Sequence, residues 1–230
     1  MKRLCIFIIM MMAFFHQSQA AGANPEAASV KEAFQAIITK YSNKATAEQL
    51  WREVDSNYTG ADRHYHNLKH LDNFYSQLLK CKAEISGWET LVVAMVYHDV
   101  IYHTPDHRDE ERSAELAVKR LQECNFPANA IKKCEALILA TKSHAWSSDN
   151  DTNLFNDADM SIVGLSPAIY DEYVKNVGLE YGVTPQFQQG RKKVLQYFLS
   201  MDRIFKTNFF YKLYEKQARE NIAREISTLP

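Results

Sequence analysis

Apolar positions recur at helical spacing from about residue 26 almost to the end of this chain. In the segment Glu26–Tyr41, for example, Val30, Phe34, Ile37 and Ile38 share one face of a helix. We find no alternating apolar and polar run, bounded by turns, that indicates a strand. Segments with the helical period or a helix-start signal are 26–41, 47–57, 67–82, 87–99, 109–124, 128–141, 157–163, one from 166, 184–205 and about 208–226. The pattern predicts one all-α domain of about ten helices.

The first twenty residues have a different pattern. Lys2 and Arg3 precede the apolar run Leu4–Phe15, and the small residues Ser18 and Ala20 follow. A charged start, a short apolar stretch and a small-x-small end are typical of a secretory signal peptide. The sequence therefore predicts a signal at 1–20, a single helical domain at 21–230, and export to the periplasm or the exterior. No transmembrane segment is expected in the mature chain.

Composition supports a helical, globular domain. Of the 230 residues 46% are hydrophobic, while only 7 are glycine and 6 are proline, which favours long helices over a turn-rich β fold. The formal net charge of −1 gives no sign of a nucleic-acid partner. After signal removal Cys81, Cys124 and Cys134 remain, an odd number; a Cys124–Cys134 bridge and free buried thiols both stay open.

The histidines are concentrated in one part of the chain. Apart from His16 in the signal segment, all seven lie between His64 and His144. The most informative is in the pair His98-Asp99, which ends the very apolar segment Leu91–Tyr97. A buried carboxylate needs compensation, and an adjacent imidazole and carboxylate at a helix end can both reach one metal ion.

Two further segments carry polar residues suited to a metal site. His66 and His70 are four residues apart, so that on a helix they lie one turn apart on the same face. A surface histidine pair is the alternative explanation. Asp157 and Asp159 are expected to begin a short helix, where capping would explain only one of them. Which of the two aspartates is a ligand stays open.

In an all-α chain, the order His, then His-Asp, then Asp resembles the HD superfamily of metal-dependent phosphohydrolases over roughly Asp62–Gly164. The segment 63–70, RHYHNLKH, is similar to the RxYHNxxH segment of a bacterial family of predicted HD phosphohydrolases. YHNxxH and the later ADMS also resemble motifs of the cyclic-nucleotide phosphodiesterases. Those enzymes have a histidine three residues after the HD aspartate, where this chain has Tyr102, and a purine-binding glutamine with no match here. Cyclic nucleotide is therefore not predicted as the substrate.

The resemblance implies a metal centre and a catalytic acid. Its ligands would be His70, His98, Asp99 and Asp159, with Asp99 also essential for catalysis and His66 as the proton donor. Two imidazoles and two carboxylates suit Mn²⁺, Fe²⁺, Ni²⁺, Zn²⁺ or Mg²⁺. The expected activity is hydrolysis of a phosphate ester, of a nucleotide or related small molecule. The candidates for supporting the ligands or binding phosphate are Arg63, His103, Lys142, His144 and Asp157.

Two other functions are compatible with the same motifs. One is a non-catalytic metal- or ligand-binding module that keeps the HD pocket. The other is a nuclease, which the balanced charge disfavours because a nuclease needs a basic surface for the phosphate backbone. No organic cofactor is expected, and the sequence does not determine the oligomeric state.

Overall fold

The computed structural model describes residues 29–103 and 107–230, and these contain ten α-helices and no β-strand. The predicted all-α fold is confirmed. The predicted signal at 1–20 lies outside the described residues. In chain order the helices are α1 Val30–Tyr41, α2 Lys44–Tyr58, α3 Leu68–Lys80, α4 Trp88–Tyr97, α5 Asp109–Glu123, α6 Ala128–Ala140, α7 Asn150–Asp159, α8 Pro167–Tyr181, α9 Pro185–Ser200 and α10 Asn208–Thr228.

Helix α4 forms the centre of the core. Every residue from Thr90 to Tyr97 is buried, as expected for a helix whose surface is apolar on all sides. It packs against α1, α3, α5, α6 and α7. Since the helix ends at Tyr97, the following His98-Asp99 pair lies at the edge of this core. The three cysteines of the helical domain are also buried and free, so no Cys124–Cys134 bridge forms.

The start of α3 depends on Asn67. Its side-chain oxygen accepts a hydrogen bond from Lys69 N at 2.9 Å, and its Nδ2 donates to the carbonyl oxygen of His64 at 2.9 Å. Asn67 is thus the N-cap, and α3 begins at Leu68. The expectation that His66 and His70 share one helix face is therefore wrong, because His66 precedes the helix. The two rings are nevertheless close, with centroids 5.8 Å apart.

The helix expected at 157–163 is placed incorrectly. The helix in this region is α7, which begins at Asn150 after the N-cap Asp149, whose side chain accepts a hydrogen bond from Thr152 N at 2.9 Å. Because the first turn of α7 is polar, the sequence shows no spacing of apolar residues that would indicate a helix starting there. Asp157 and Asp159 consequently end a helix rather than begin one, and a 3₁₀ turn, Met160–Gly164, follows.

The C-terminal helices pack across this 3₁₀ turn. Gly164 lies so close to α10 that an added Cβ would be 2.4 Å from the Tyr214 Cβ. Helix α9 ends at Ser200 rather than at Phe205 as expected. The reason is that the backbone N–H groups of Ile204 and Phe205 donate instead to the buried Glu215 carboxylate of α10, each at 3.1 Å.

Candidate metal centre

Four side chains from three separate segments converge at one point, and we call them the His/Asp cluster. The Nε2 atoms of His70 and His98 lie 3.0 Å apart. Asp99 Oδ2 lies 3.0 Å from His98 Nε2 and 3.7 Å from His70 Nε2. Asp159 Oδ1 lies 3.3 Å from His70 Nε2 and 3.6 Å from His98 Nε2. One donor atom from each of His70, His98 and Asp159 lies within 4.8 Å of the other two.

These separations suit a shared ion. Neighbouring ligands on an octahedral ion with bonds of about 2.1 Å lie about 3 Å apart. All five donor pairs measured above fall between 3.0 and 3.7 Å. The nitrogen and oxygen donors match the preferences of divalent first-row metals. His70, His98 and Asp159 together can therefore hold a divalent cation.

The orientation of His98 favours coordination. Its Nδ1 lies 2.7 Å from the carbonyl oxygen of Met95, so Nδ1 carries a proton and donates to it. Nε2 is left facing the cluster, as in metal sites where the second ring nitrogen is held by a backbone carbonyl. A proton on Nε2 would point at only one of several converging lone pairs. A cation can interact with all of them.

Burial makes the charge balance of the cluster important. Burial alone would lower the pKa of His98, but the charges of Asp99 and Asp159 outweigh it and raise that pKa. Burial alone would raise the pKa of Asp159, but the hydrogen bond from His144 and the nearby imidazoles of His70 and His98 lower it. The aspartates are thus held ionised, and either a proton on His98 or a divalent cation must supply positive charge.

Arg63 supports the turn that carries His98-Asp99. Its guanidinium donates to the carbonyl oxygens of Asp99 at 2.7 Å, Val100 at 3.1 Å and His66 at 2.9 Å. It also lies over the rings of Tyr58 and Tyr102. These bonds use three of the five N–H donors of Arg63 on backbone carbonyls. Arg63 ties the segment before α3 to the end of α4.

His66 lies next to the cluster and is held by Glu180 of α8. His66 Nδ1 lies 2.7 Å from Glu180 Oε2, and the Glu180 side chain is fully buried. The backbone N–H groups of Tyr65 and His66 donate to Glu180 Oε1 at 2.7 and 2.9 Å. Burial alone would raise the pKa of Glu180, but the hydrogen bond and charge of His66 and the two backbone bonds lower it to about 2. Glu180 thus engages His66 Nδ1 and leaves the other ring nitrogen, Nε2, free of this contact.

His144 joins the cluster, whereas Asp157 does not. His144 Nε2 lies 2.8 Å from Asp159 Oδ2, the oxygen not shared with His70 and His98. Asp157 is fully buried and accepts hydrogen bonds from the backbone of Lys206 at 2.8 Å and of Thr207 at 2.7 Å. Asp157 therefore fixes the start of α10, and Asp159 is the aspartate that the structure brings to the cluster.

The other two candidates point to different partners. Lys142 is ion-paired with Glu111 at 2.5 Å. His103 is exposed, and its ring stacks on Tyr102 and meets the Tyr181 ring edge-on. Neither side chain forms a hydrogen bond to the His/Asp cluster in the described structure.

The cluster opens into a cavity of about 500 Å³, which we call the main cavity. Its polar end includes His66, Asp99, Glu110, His144 and Asp159, and its other side is formed by apolar and aromatic residues of α8 and α9. Tyr181 and Phe187 stack there with centroids 5.6 Å apart. Among the described residues lining it, Arg191 is the only lysine or arginine, and it is bonded to Glu225 at 2.7 Å and to Tyr173 at 3.0 Å.

Glu180 and Tyr102 are the site residues that the sequence did not identify. Tyr102 OH donates to Glu180 Oε2 at 3.1 Å, so both residues position His66. Glu180 lies near the C-terminus of α8, where a carboxylate is unfavourable with respect to the helix dipole. The one sequence signal for Glu180 is its position as an acidic residue between Leu179 and Tyr181 at a helix end.

Comparison of the chain with protein-family models, curated proteins and solved structures finds no match. In the described part of the chain, none of the helices combines the length and apolar character that crossing a bilayer requires. The functional interpretation therefore depends on the geometry of the site.

Proposed function

We propose that this protein is a metal-dependent hydrolase of a small phosphate ester. The observation that carries the proposal is the convergence of His70, His98 and Asp159, with Asp99 beside the two imidazoles, in the lining of a cavity large enough for a small molecule. His70, His98, Asp99 and Asp159 would hold Mn²⁺, Fe²⁺, Ni²⁺, Zn²⁺ or Mg²⁺. When bound, such an ion polarises a phosphoryl oxygen and lowers the pKa of water.

His66 and Glu180 supply the proton transfer in this proposal. Glu180 accepts the hydrogen bond from His66 Nδ1 and so fixes the ring orientation. His66 also lines the main cavity, where Nε2 can donate a proton to the leaving oxygen.

The main cavity favours a substrate with few negative charges. Asp99, Asp109, Glu110 and Asp159 line it, and its described lining offers Arg191 alone as a permanently charged base, already paired with Glu225. A polyphosphate would meet repulsion there, whereas one phosphate group could be neutralised by the cation. The aromatic side suits a planar group such as a nucleobase. We therefore propose a nucleoside monophosphate or a similar ester.

The test combines metal content with phosphate release. Purified protein is stripped with chelator, reloaded separately with each of the five metals, and assayed against nucleoside monophosphates, cyclic nucleotides and simple aromatic phosphates. Phosphate release reports on the monoesters, and formation of the nucleoside monophosphate reports on the cyclic nucleotides, whose hydrolysis frees no phosphate. We expect release with at least one metal, and loss of both metal and activity in His70→Ala. His107→Asn is the matched control, because His107 is exposed and its positive φ of 52° suits asparagine.

Three results would count against the proposal. If stoichiometric metal binds but no ester is hydrolysed with any metal, the protein is better explained as a non-catalytic binding module. If His70→Ala retains metal, the cluster is not the centre. If His107→Asn loses metal as fully as His70→Ala, the ligand assignment is wrong.

A further inference from the structure

A second cavity, which we call the side cavity, adjoins the metal cluster. Its volume is about 320 Å³, at the lower end of the range for small-molecule sites. Tyr65, His70, Ile162 and Tyr173 line both cavities and so form a shared wall. The rest of the lining of the side cavity includes Lys69, Asn73, Leu165, Ile169 and Glu172.

The shared wall contains a buried nitrogen without a partner. The His70 side chain is only 2% exposed, and its Nδ1 has no hydrogen bond among the described residues. His98 differs, because its Nδ1 donates to Met95. With Nε2 directed into the cluster and bound to a cation, His70 Nδ1 must carry a proton. A ligating histidine almost always donates that proton to a carboxylate, carbonyl or water. His70 therefore needs an acceptor that the described residues do not provide.

A second donor lies one turn further along α3. Asn73 is three residues after His70, on the same side of the helix, and its Nδ2 is also buried without a partner. Both residues line the side cavity. Because leaving two buried donors unsatisfied is unfavourable, a ligand carrying acceptor oxygens would be stabilised there.

The remainder of the lining is suited to an apolar group. Its lining includes Ile162, Leu165, Ile169 and Tyr173. The Lys69–Glu172 pair, 3.0 Å apart, is exposed to solvent. We propose that the side cavity binds a small carboxylic acid, with the carboxylate on His70 Nδ1 and Asn73 Nδ2 and a short apolar chain against the isoleucines. The acid would contact His70 on the side of the ring facing away from the metal, so binding of the acid is coupled to metal binding. The coupling and the proton on His70 Nδ1 rest on the proposed metal centre, whereas the cavity and the Asn73 donor do not.

The test measures hexanoate binding to the Zn²⁺-loaded full chain by calorimetry, with hexan-1-ol as the comparison lacking a carboxylate. We expect saturable binding of hexanoate only. Ile169→Trp, at a half-exposed rim position, should fill the cavity, and Asn73→Leu should remove a donor. Each should weaken hexanoate by about tenfold or more, the equivalent of about 1.4 kcal/mol. Val194→Trp is the control, since Val194 lines the main cavity and not the side cavity.

The outcomes separate this inference from the proposed function. Hexanoate should raise Zn²⁺ affinity about fivefold or more, and Zn²⁺ should raise hexanoate affinity by the same factor. If Zn²⁺ binds but hexanoate does not, the side-cavity inference fails while the metal centre stands. If hexanoate binds but Zn²⁺ does not, the metal centre fails instead. If Val194→Trp abolishes hexanoate binding and Ile169→Trp does not, the acid occupies the main cavity, and the inference is overturned.

Discussion

The substitution Glu180→Gln tests whether the Glu180 carboxylate organises the site. Glutamine keeps the shape of the side chain and an oxygen for the backbone N–H groups of Tyr65 and His66, but it removes the charge next to His66 Nδ1. The cost should therefore come from the lost charge rather than from a cavity. We expect the variant to fold, to be less stable than the wild type, and to retain metal.

The size and pH range of the effect follow from the pKa of Glu180. Hydrogen bonding and the charge of His66 outweigh burial and lower this pKa from 4.5 to about 2. A lowered carboxyl pKa stabilises the folded state above the unfolded value, and this stabilisation is lost as the pH falls through the folded value. The difference corresponds to roughly 3 kcal/mol. We expect most of this stabilisation of the folded state to be present at pH 6 and little of it to remain at pH 2.

The assay is urea unfolding of wild type and variant from pH 6 to pH 2, followed by tryptophan fluorescence. Glu172→Gln, on the same helix, is the control, because the Lys69–Glu172 pair is exposed and such pairs contribute less than about 1 kcal/mol. If Glu180→Gln changes the free energy of unfolding by the same amount at every pH, or no more than Glu172→Gln, the carboxylate does not have the role assigned to it. If the proposed function is correct, Glu180→Gln should also reduce turnover more than it changes KM.

Three further predictions concern the cluster and the core. His66→Asn should keep its metal while turnover falls on the order of 10²–10⁴-fold, as for loss of a general acid; a parallel loss of metal would make His66 a ligand instead. Asp159→Ala should lose metal. Asp157→Ala should keep metal but be destabilised by a few kcal/mol, because the hydrogen bonds from the backbone of residues 206 and 207 lose their acceptor. Metal analysis and urea unfolding distinguish the two variants. Burial raises the pKa of the Cys81 thiol to about 12 and also raises the pKa values of Cys124 and Cys134. None of the three should therefore react with Ellman's reagent before unfolding. Labelling of any of them in native protein, detected by peptide mapping, would contradict their burial.

The sequence predicted the parts of the site that lie within local patterns. The apolar run Leu91–Val96 indicated that His98-Asp99 lies at the end of a buried helix, and the structure places it there. Helix period alone gave nearly the right bounds for α3 and α5. The capping role of Asn67 was not recognised, and for this reason His66 was expected on the helix rather than before it.

The parts that could not be predicted depend on contacts between distant segments. Glu180 is 114 residues from His66, and no local spacing relates them. Asp157 and Asp159 are both acidic residues in the last turn of α7, so spacing alone could not distinguish them; the resemblance favoured Asp159. Their roles are set by what each one faces, which is α10 for Asp157 and the two histidines for Asp159. Packing of the helices decides this, and the local sequence does not.

The bonds of Asp157 to the start of α10 have a consequence for how the protein can be divided. The proposed ligands all precede Gly164, yet Asp157 is anchored by residues 206 and 207, and Glu180 holds His66 from α8. A fragment ending at Gly164 would keep every ligand but lose both anchors. The smallest unit that can be transplanted to another scaffold, or reassembled from two co-expressed pieces, must therefore include α8 and α10.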